Sequence, residues 1–260
     1  MAQVYTAPAK VNIFLKITGR REDGYHLIAS RFVRHEGLSD KLWFDKAGAK
    51  GFEVVGDFDC PPEANTVYKA YEALKAAHPS RKLIEFARLH RMVVYKQIPA
   101  GAGLGGGSSD AATFLNMINE QAGLGLSKKE LMAVGVKVGA DVPFFISGHK
   151  SANVSGIGEI ILPFDEPLPV LEVKTPPVHC NTAAVYRKFR QCFSDRMAQN
   201  AEAAKRLLSL NSREIAENYS PEQLNDLYEP AQKSYPELIE HREKGWFFSG
   251  SGSSFFRILQ

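Results

Sequence analysis

The chain has 260 residues, enough for one large domain or two modest ones with a sizeable core. A content of 44% hydrophobic and 23% charged residues excludes a disordered chain and a membrane protein. A net charge of +3, with basic residues scattered rather than striped, excludes the electrostatic footprint of a nucleic-acid-binding protein. In chain order, residues 11–17 read as a first strand, and 42–44 and 52–55 as short further strands. Arg20 and Arg21 lie between, a local pair that suits a small anionic ligand better than a polymer. Over residues 65–77, Val67, Tyr71 and Leu74 share one helical face, with Asn65 a candidate cap. Apolar residues 92–95 then lead into a glycine-rich loop.

That loop is the most informative stretch. Gly101, Gly103, Gly105, Gly106 and Gly107 precede Ser108, Ser109 and Asp110, and helical periodicity continues to about Gln121. Glycine accepts positive φ and lets backbone N–H groups approach a ligand closely. A helix starting there adds unpaired donors and the positive end of its dipole, a site for phosphate. It is not a Walker A loop, which ends in Gly-Lys-Ser/Thr, whereas Ser108 follows Gly107 directly. Nor is it a dinucleotide fingerprint. Ala111, Leu115, Ile118 and Ala122 share a helical face, which puts Glu120 inside the helix rather than at the end of a following strand.

Ser127 and Glu130 form a capping box for the next helix. Residues 154–162 read as a strand broken by Gly156 and Gly158, and prolines cluster over 163–177, the candidate domain boundary. Helical segments follow at 182–193, 200–210, 221–232 and 236–244, before a strand–turn–strand end at 246–258. Strands and helices mix without strict βαβ alternation, so the fold class expected is α+β in two lobes. Cys60, Cys180 and Cys192 lack disulfide or zinc spacing, which points to a reducing cytoplasm. Residues 1–18 show no signal peptide and no stretch approaches a membrane span.

Lys10 and Asp141 interrupt apolar surroundings where an unpaired charge is costly. Phosphoryl transfer to a hydroxyl needs a base and nearby cations, and these residues supply both types. Each also has a plainer reading: Asp141 as an N-cap before Val142-Pro143, Lys10 as a strand lysine with its head in water. Ser249–Ser254 reads as a hairpin turn or a binding turn, and Ser108 as a phosphate or magnesium contact or a cap.

Jointly, Pro8-Ala-Lys10-Val-Asn12, the loop from Pro99 to Ser109, and Ser249-Gly-Ser-Gly-Ser253 resemble the three ordered motifs of the GHMP kinases, which phosphorylate small alcohols. Residues 8–15, Gly19-Arg-Arg-Glu-Asp-Gly-Tyr-His26, 105–110 and 139–145 are similar to the branch acting on a cytidine-diphosphate-linked methylerythritol. The resemblance implies ATP, Mg2+, an acceptor hydroxyl at C2 and an active site in a cleft between two lobes. It implies a 1–163 ATP-binding domain and a 164–260 domain with the late Gly/Ser motif. Lys10 and Asp141 match the catalytic pair, and Asn12 a contact to the acceptor. Tyr25, Phe32 and Tyr186 match rings around the cytosine, His26 its edge, and Thr182 a contact near the cytidine, although each ring taken singly reads as core. Asn65, Lys96, Pro99, Gly101, Gly103, Leu104, Gly105, Gly106, Gly107, Ser108 and Ser109 match the ATP side, with Ser108 the metal contact through Mg-ATP. No nucleic-acid or membrane partner is expected, and the chain is expected as a monomer or weak homodimer. Two departures stand out: Asp110 replaces the asparagine of some relatives, and Arg34-His35-Glu36-Gly37 replaces a commoner apolar run.

Overall fold

The computed structural model describes residues 2–47 and 51–259. Its elements mix helices with largely antiparallel sheets, the α+β class expected. In chain order they are β1 (Tyr5–Arg20), β2 (His26–Lys46), β3 (Val54–Gly56), α1 (Thr66–Ala77), α2 (Arg81–Leu89), β4 (His90–Tyr95), α3 (Gly106–Gln121), α4 (Lys128–Val138), α5 (Val142–Ser147), β5 (Ser151–Ser155), β6 (Ile160–Pro163) and β7 (Leu171–Lys174). Then come α6 (Thr182–Cys192), α7 (Met197–Leu207), α8 (Ser212–Asn218), α9 (Pro221–Leu224), α10 (Tyr228–Ser234), β8 (Phe247–Phe248) and β9 (Phe255–Ile258).

The chain forms two compact units: Met1–Ala9, Glu36–Ile98 and Gly105–Gly148 make one, and Lys10–His35, Pro99–Leu104 and His149–Gln260 the other. They interleave in sequence, unlike the contiguous split near residue 163. The reason is local: β1 and β2 are long enough that each gives its two ends to different units.

In the first unit, β4 pairs antiparallel with residues 41–46 of β2 and parallel with β3. Helix α1 packs on α3 and α4, and α5 on α3 and α4. The buried face of α1 is Val67, Ala70, Tyr71 and Leu74, and Asn65 caps it by accepting the Val67 N–H at 2.8 Å. The Ser127–Glu130 capping box is present at the start of α4.

In the second unit, β5 pairs antiparallel with residues 30–33 of β2 and with β6, and β9 lies between β7 and β8. Gly156 and Gly158, both at positive φ, turn the expected 154–162 strand into the β5–β6 hairpin. Helices α6 and α10 bury Val185, Phe189, Tyr228 and Ala231 against Phe248 and Phe255 of the small sheet. The helix expected over 221–232 is two, α9 and α10, because Asn225 leaves the helix to bridge Leu15 of β1.

Candidate active site

The glycine loop takes the form its composition requires. Gly101, Gly103 and Gly105 have φ of 63°, 72° and 72°. Gly105 is the N-cap of α3 and brings no side-chain cap, so the helix start presents N–H donors and dipole with nothing from the capping residue. This fits an anion such as a nucleotide phosphate. Thr66 donates to the Gly107 carbonyl at 2.7 Å, fixing the first turn of α3 against α1.

At the loop entry stands a residue that sequence reading missed. Asp40 is fully buried, accepts the N–H groups of Gln97 and Ile98 at 2.5 and 2.8 Å, and pairs with Lys96. Lys96 also reaches Asp110 of α3 at 2.7 Å. Burial lowers the tendency of this ammonium to stay charged, but Asp110 and Asp40 outweigh it and hold the pKa above its ordinary value. Burial pushes the Asp110 carboxyl up to about 7 despite Lys96. Lys96, expected on the nucleotide side, therefore carries a charge already offset by two carboxylates. The immediate neighbours of Asp40, Ser39 and Lys41, are polar, so nothing local in the sequence marked it as buried.

Still in the first unit, Asp141 occupies the N-cap position of α5 but makes no side-chain cap hydrogen bond. The capping alternative thus describes its place and not its side chain. Pro143 in the first turn and Gly148 at φ 83° delimit this short helix. Ser108 neighbours the same turn, since a Cβ on Gly139 would lie 3.6 Å from its hydroxyl.

In the second unit, Lys10 is 3% exposed, which overturns the reading of a lysine with its head in water. Its ammonium donates to Asn12 Oδ1 at 2.5 Å and to the Gly103 carbonyl at 3.1 Å, and lies 4.7 Å over the ring of Phe32. Phe32 is itself in the core. Asn12 donates through Nδ2 to Ser30 at 3.0 Å, which fixes its Oδ1 toward the lysine. The late Gly/Ser turn meets this group directly. Ser249 Oγ accepts the Asn12 N–H and donates to the Gly103 carbonyl, both at 3.2 Å. It is the hairpin connection between β8 and β9, and it packs tightly on the glycine loop: a Cβ on Gly103 would fall 2.2 Å from the Ser249 carbonyl oxygen.

His26, Tyr186 and Phe189 form a second cluster, with the imidazole 5.3 Å from the Tyr186 ring centroid and edge-on to Phe189 at 5.9 Å. Burial, with Arg20 and Arg190 adding repulsion, lowers the His26 pKa and keeps the ring neutral at pH 7. Its Nε2 is buried without a hydrogen-bond partner among the described residues, the disposition of an atom that a ligand edge would satisfy. Tyr25, by contrast, is 61% exposed, so its core reading fails. It stands on the β1–β2 turn, where Gly24 has φ 93°, Arg21 N–H donates to the Tyr25 carbonyl, and Asp23 accepts the Tyr25 N–H. Thr182, at the start of α6, shares a 2.8 Å hydrogen bond with Ser251 of the late turn.

A glycine loop opening a helix, a buried strand lysine and a late Gly/Ser turn are the parts of a GHMP kinase. Residues 65–149 match the family described as the GHMP kinases N terminal domain. The Methanococcus jannaschii mevalonate kinase shares the fold at TM-score 0.63 and 12% identity, covering 100% of this chain and 91% of its own. A crystal structure of 4-(cytidine 5'-diphospho)-2C-methyl-D-erythritol kinase aligns at TM-score 0.74 and 32% identity, over 99% of this chain and 90% of that one. A Sulfurimonas denitrificans protein named 4-diphosphocytidyl-2-C-methyl-D-erythritol kinase is 47% identical over 99% of this chain and 97% of its own length. One of that name from Sulfurovum sp. is 45% identical over 97% of each. The chain belongs to the GHMP kinases and, within them, to the 4-diphosphocytidyl-2-C-methyl-D-erythritol kinase family.

Proposed function

We propose that the chain transfers the γ-phosphoryl group of ATP to the 2-hydroxyl of 4-diphosphocytidyl-2-C-methyl-D-erythritol, giving ADP and the 2-phosphate. The substrate comes from the relatives' printed name. The observation that carries the chemistry is the buried Lys10 ammonium, oriented by Asn12 and Gly103 and backed by Phe32. A cation prepositioned in a dry setting stabilises developing phosphate charge more than one in water.

Asp141 accepts the hydroxyl proton as the substrate O–P bond forms, and the bond to the bridging oxygen breaks with ADP as leaving group. Lys10 offsets charge on the transferring group. The glycine-loop amides and the start of α3 hold the β- and γ-phosphates. Neutral His26 offers its buried Nε2 to the cytosine edge, beside the Tyr186 ring, and Tyr25 closes over the base from its exposed turn. Thr182 is a further contact near the cytidine. Among the described residues no group of three or more His, Cys, Asp or Glu could hold a metal ion. Mg2+, brought in as Mg-ATP, would have Ser108 as its protein contact and would offset phosphate charge. Among the described residues no helix is long and apolar enough to cross a membrane. A cytoplasmic setting fits the cysteine usage.

The test is ADP release from Mg-ATP with the diphosphocytidyl methylerythritol, in wild type and Asp141→Ala. Substrate-dependent turnover that is lost in a folded, ATP-binding variant supports the assignment. A folded wild type that binds ATP but turns over only another alcohol, without competition by cytidine diphosphate, refutes it.

A further inference from the structure

Two residues that accept from the Lys10 ammonium, Asn12 and Gly103, are bonded by one hydroxyl, that of Ser249. Lys10 Nζ donates to Asn12 Oδ1 and to the Gly103 carbonyl, and Ser249 Oγ bonds the N–H of that same Asn12 and the carbonyl of that same Gly103. The turn carrying Ser249 therefore helps to define where these two acceptors, and with them the lysine, sit. That turn has an anchor of its own. The Asn225 side chain, 2% exposed, donates from one nitrogen to the Phe248 carbonyl at 2.8 Å and the Gly250 carbonyl at 2.9 Å, the residues on either side of Ser249. Its Oδ1 accepts the Leu227 N–H at 2.9 Å, which sets the amide's orientation.

The other side of Asn225 is fastened to the strand that bears Lys10. Its backbone bridges Leu15, the Asp226 N–H donates to the Leu15 carbonyl at 2.9 Å, and the Asp226 carboxylate accepts the Ile17 N–H at 2.7 Å and pairs with Lys16. One short segment therefore grips β1 with its backbone and the late turn with the Asn225 amide. The backbone approach there leaves no slack, because a Cβ on Gly250 would lie 3.0 Å from the Gly103 carbonyl oxygen and 3.2 Å from Asn12 Oδ1.

We infer that Asn225 is a positioning residue for phosphoryl transfer, acting through the Ser249 turn to hold the acceptors of the Lys10 ammonium in place. The inference rests on the catalytic reading of Lys10 given above. Asn225→Asp keeps the size and the acceptor to Leu227 but removes the donor to both carbonyls. A displacement of about 1 Å at a reacting group costs up to about 100-fold. The expected result is a fall in kcat of about 10- to 100-fold, with KM for both substrates changed less than about threefold.

The decisive measurement is a double-mutant cycle with Lys10→Met, read as single-turnover ADP formation on variants whose folding is checked by thermal melting. If Asn225 acts through Lys10, Asn225→Asp lowers the residual rate of Lys10→Met by less than about twofold. Multiplying losses, an unchanged kcat in Asn225→Asp, or a loss confined to KM would overturn the inference. Should Asn225→Asp not fold, Ser249→Ala takes its place in the cycle with the same expectation. Wild-type kcat in Lys10→Met would instead bring down the underlying reading of the lysine, a separate and recognisable outcome.

Discussion

Replacing Gly103 by alanine perturbs the closest backbone approach in the site, and its cost can be worked from two contributions. Gly103 has φ 72°, where a Cβ costs about 1–2 kcal/mol. Gly123 has φ 59° with open space around the added atom, so Gly123→Ala carries that strain alone. Reduced freedom of the unfolded chain returns about 0.4–1 kcal/mol in both variants. At Gly103 the new Cβ would also lie 2.2 Å from the Ser249 carbonyl oxygen and 3.0 Å from the Gly252 nitrogen. These are backbone atoms that no rotamer change can move, and overpacking of this kind adds about 1–3 kcal/mol. Gly103→Ala is therefore expected to destabilise by about 2–4 kcal/mol against about 1 kcal/mol for Gly123→Ala. Urea unfolding of both variants at unchanged m gives the comparison. Turnover should fall only in Gly103→Ala, whose carbonyl orients Lys10. Equal destabilisation by the two alanines would refute the reasoning, because it would mean that the turn yields freely to the added atom.

Burial, Arg20 and Arg190 lower the pKa of His26 below 6.5, so the folded state resists a proton that the unfolded chain accepts. Its contribution is present above pH 6.5 and lost as pH falls further. The melting temperature of wild type should drop more steeply below pH 6.5 than that of His26→Gln, and parallel curves would contradict this. Glu166 faces the fully buried Arg31 at 3.5 Å and accepts from Ser151 and Ser212. Glu166→Ala strands that guanidinium and should cost about 3–5 kcal/mol in urea unfolding, most of it regained when Arg31→Met is added. A loss below about 1 kcal/mol would show that the pair is not acting as a buried one.

Legibility in the sequence followed how far away each polar residue's partner lies. The glycine loop, the Asn65 cap and the Ser127–Glu130 capping box were readable because donor and acceptor sit within a few positions. Strands β1 and β2 were read as 11–17 and 42–44, although they span Tyr5–Arg20 and His26–Lys46. Lys10, Asn12, Lys16, Arg31 and Asp40 break the apolar alternation there, yet all are buried. Four of the partners that hold them, Ser249, Asp226, Glu166 and Lys96, lie 56 or more positions away. Helix α2 was missed although Leu83, Phe86 and Ala87 recur at helical spacing within its nine residues. Strand β7 lay hidden among the prolines taken for a boundary, and its identity depends on pairing with β9. The chemical groups could be named from the sequence, but which of them hold one another could not.

The hydrogen bond from Asn12 to Ser249 joins residues 237 positions apart. At about 5–20 residues per second, a ribosome needs roughly 10–50 s between making the first and the second. Throughout that interval β1 carries a lysine and an asparagine destined for burial, without the hydroxyl that will hold their partners. The unit containing them cannot close around an early fragment, since it also draws on residues after His149. A messenger truncated between the glycine loop and the last hairpin yields a polypeptide with that loop but without the Ser249 hydroxyl beside Asn12 and Gly103, one that chaperones and proteases meet as unfinished. The surroundings of Lys10 are thus complete only once the turn carrying Ser249 has been made.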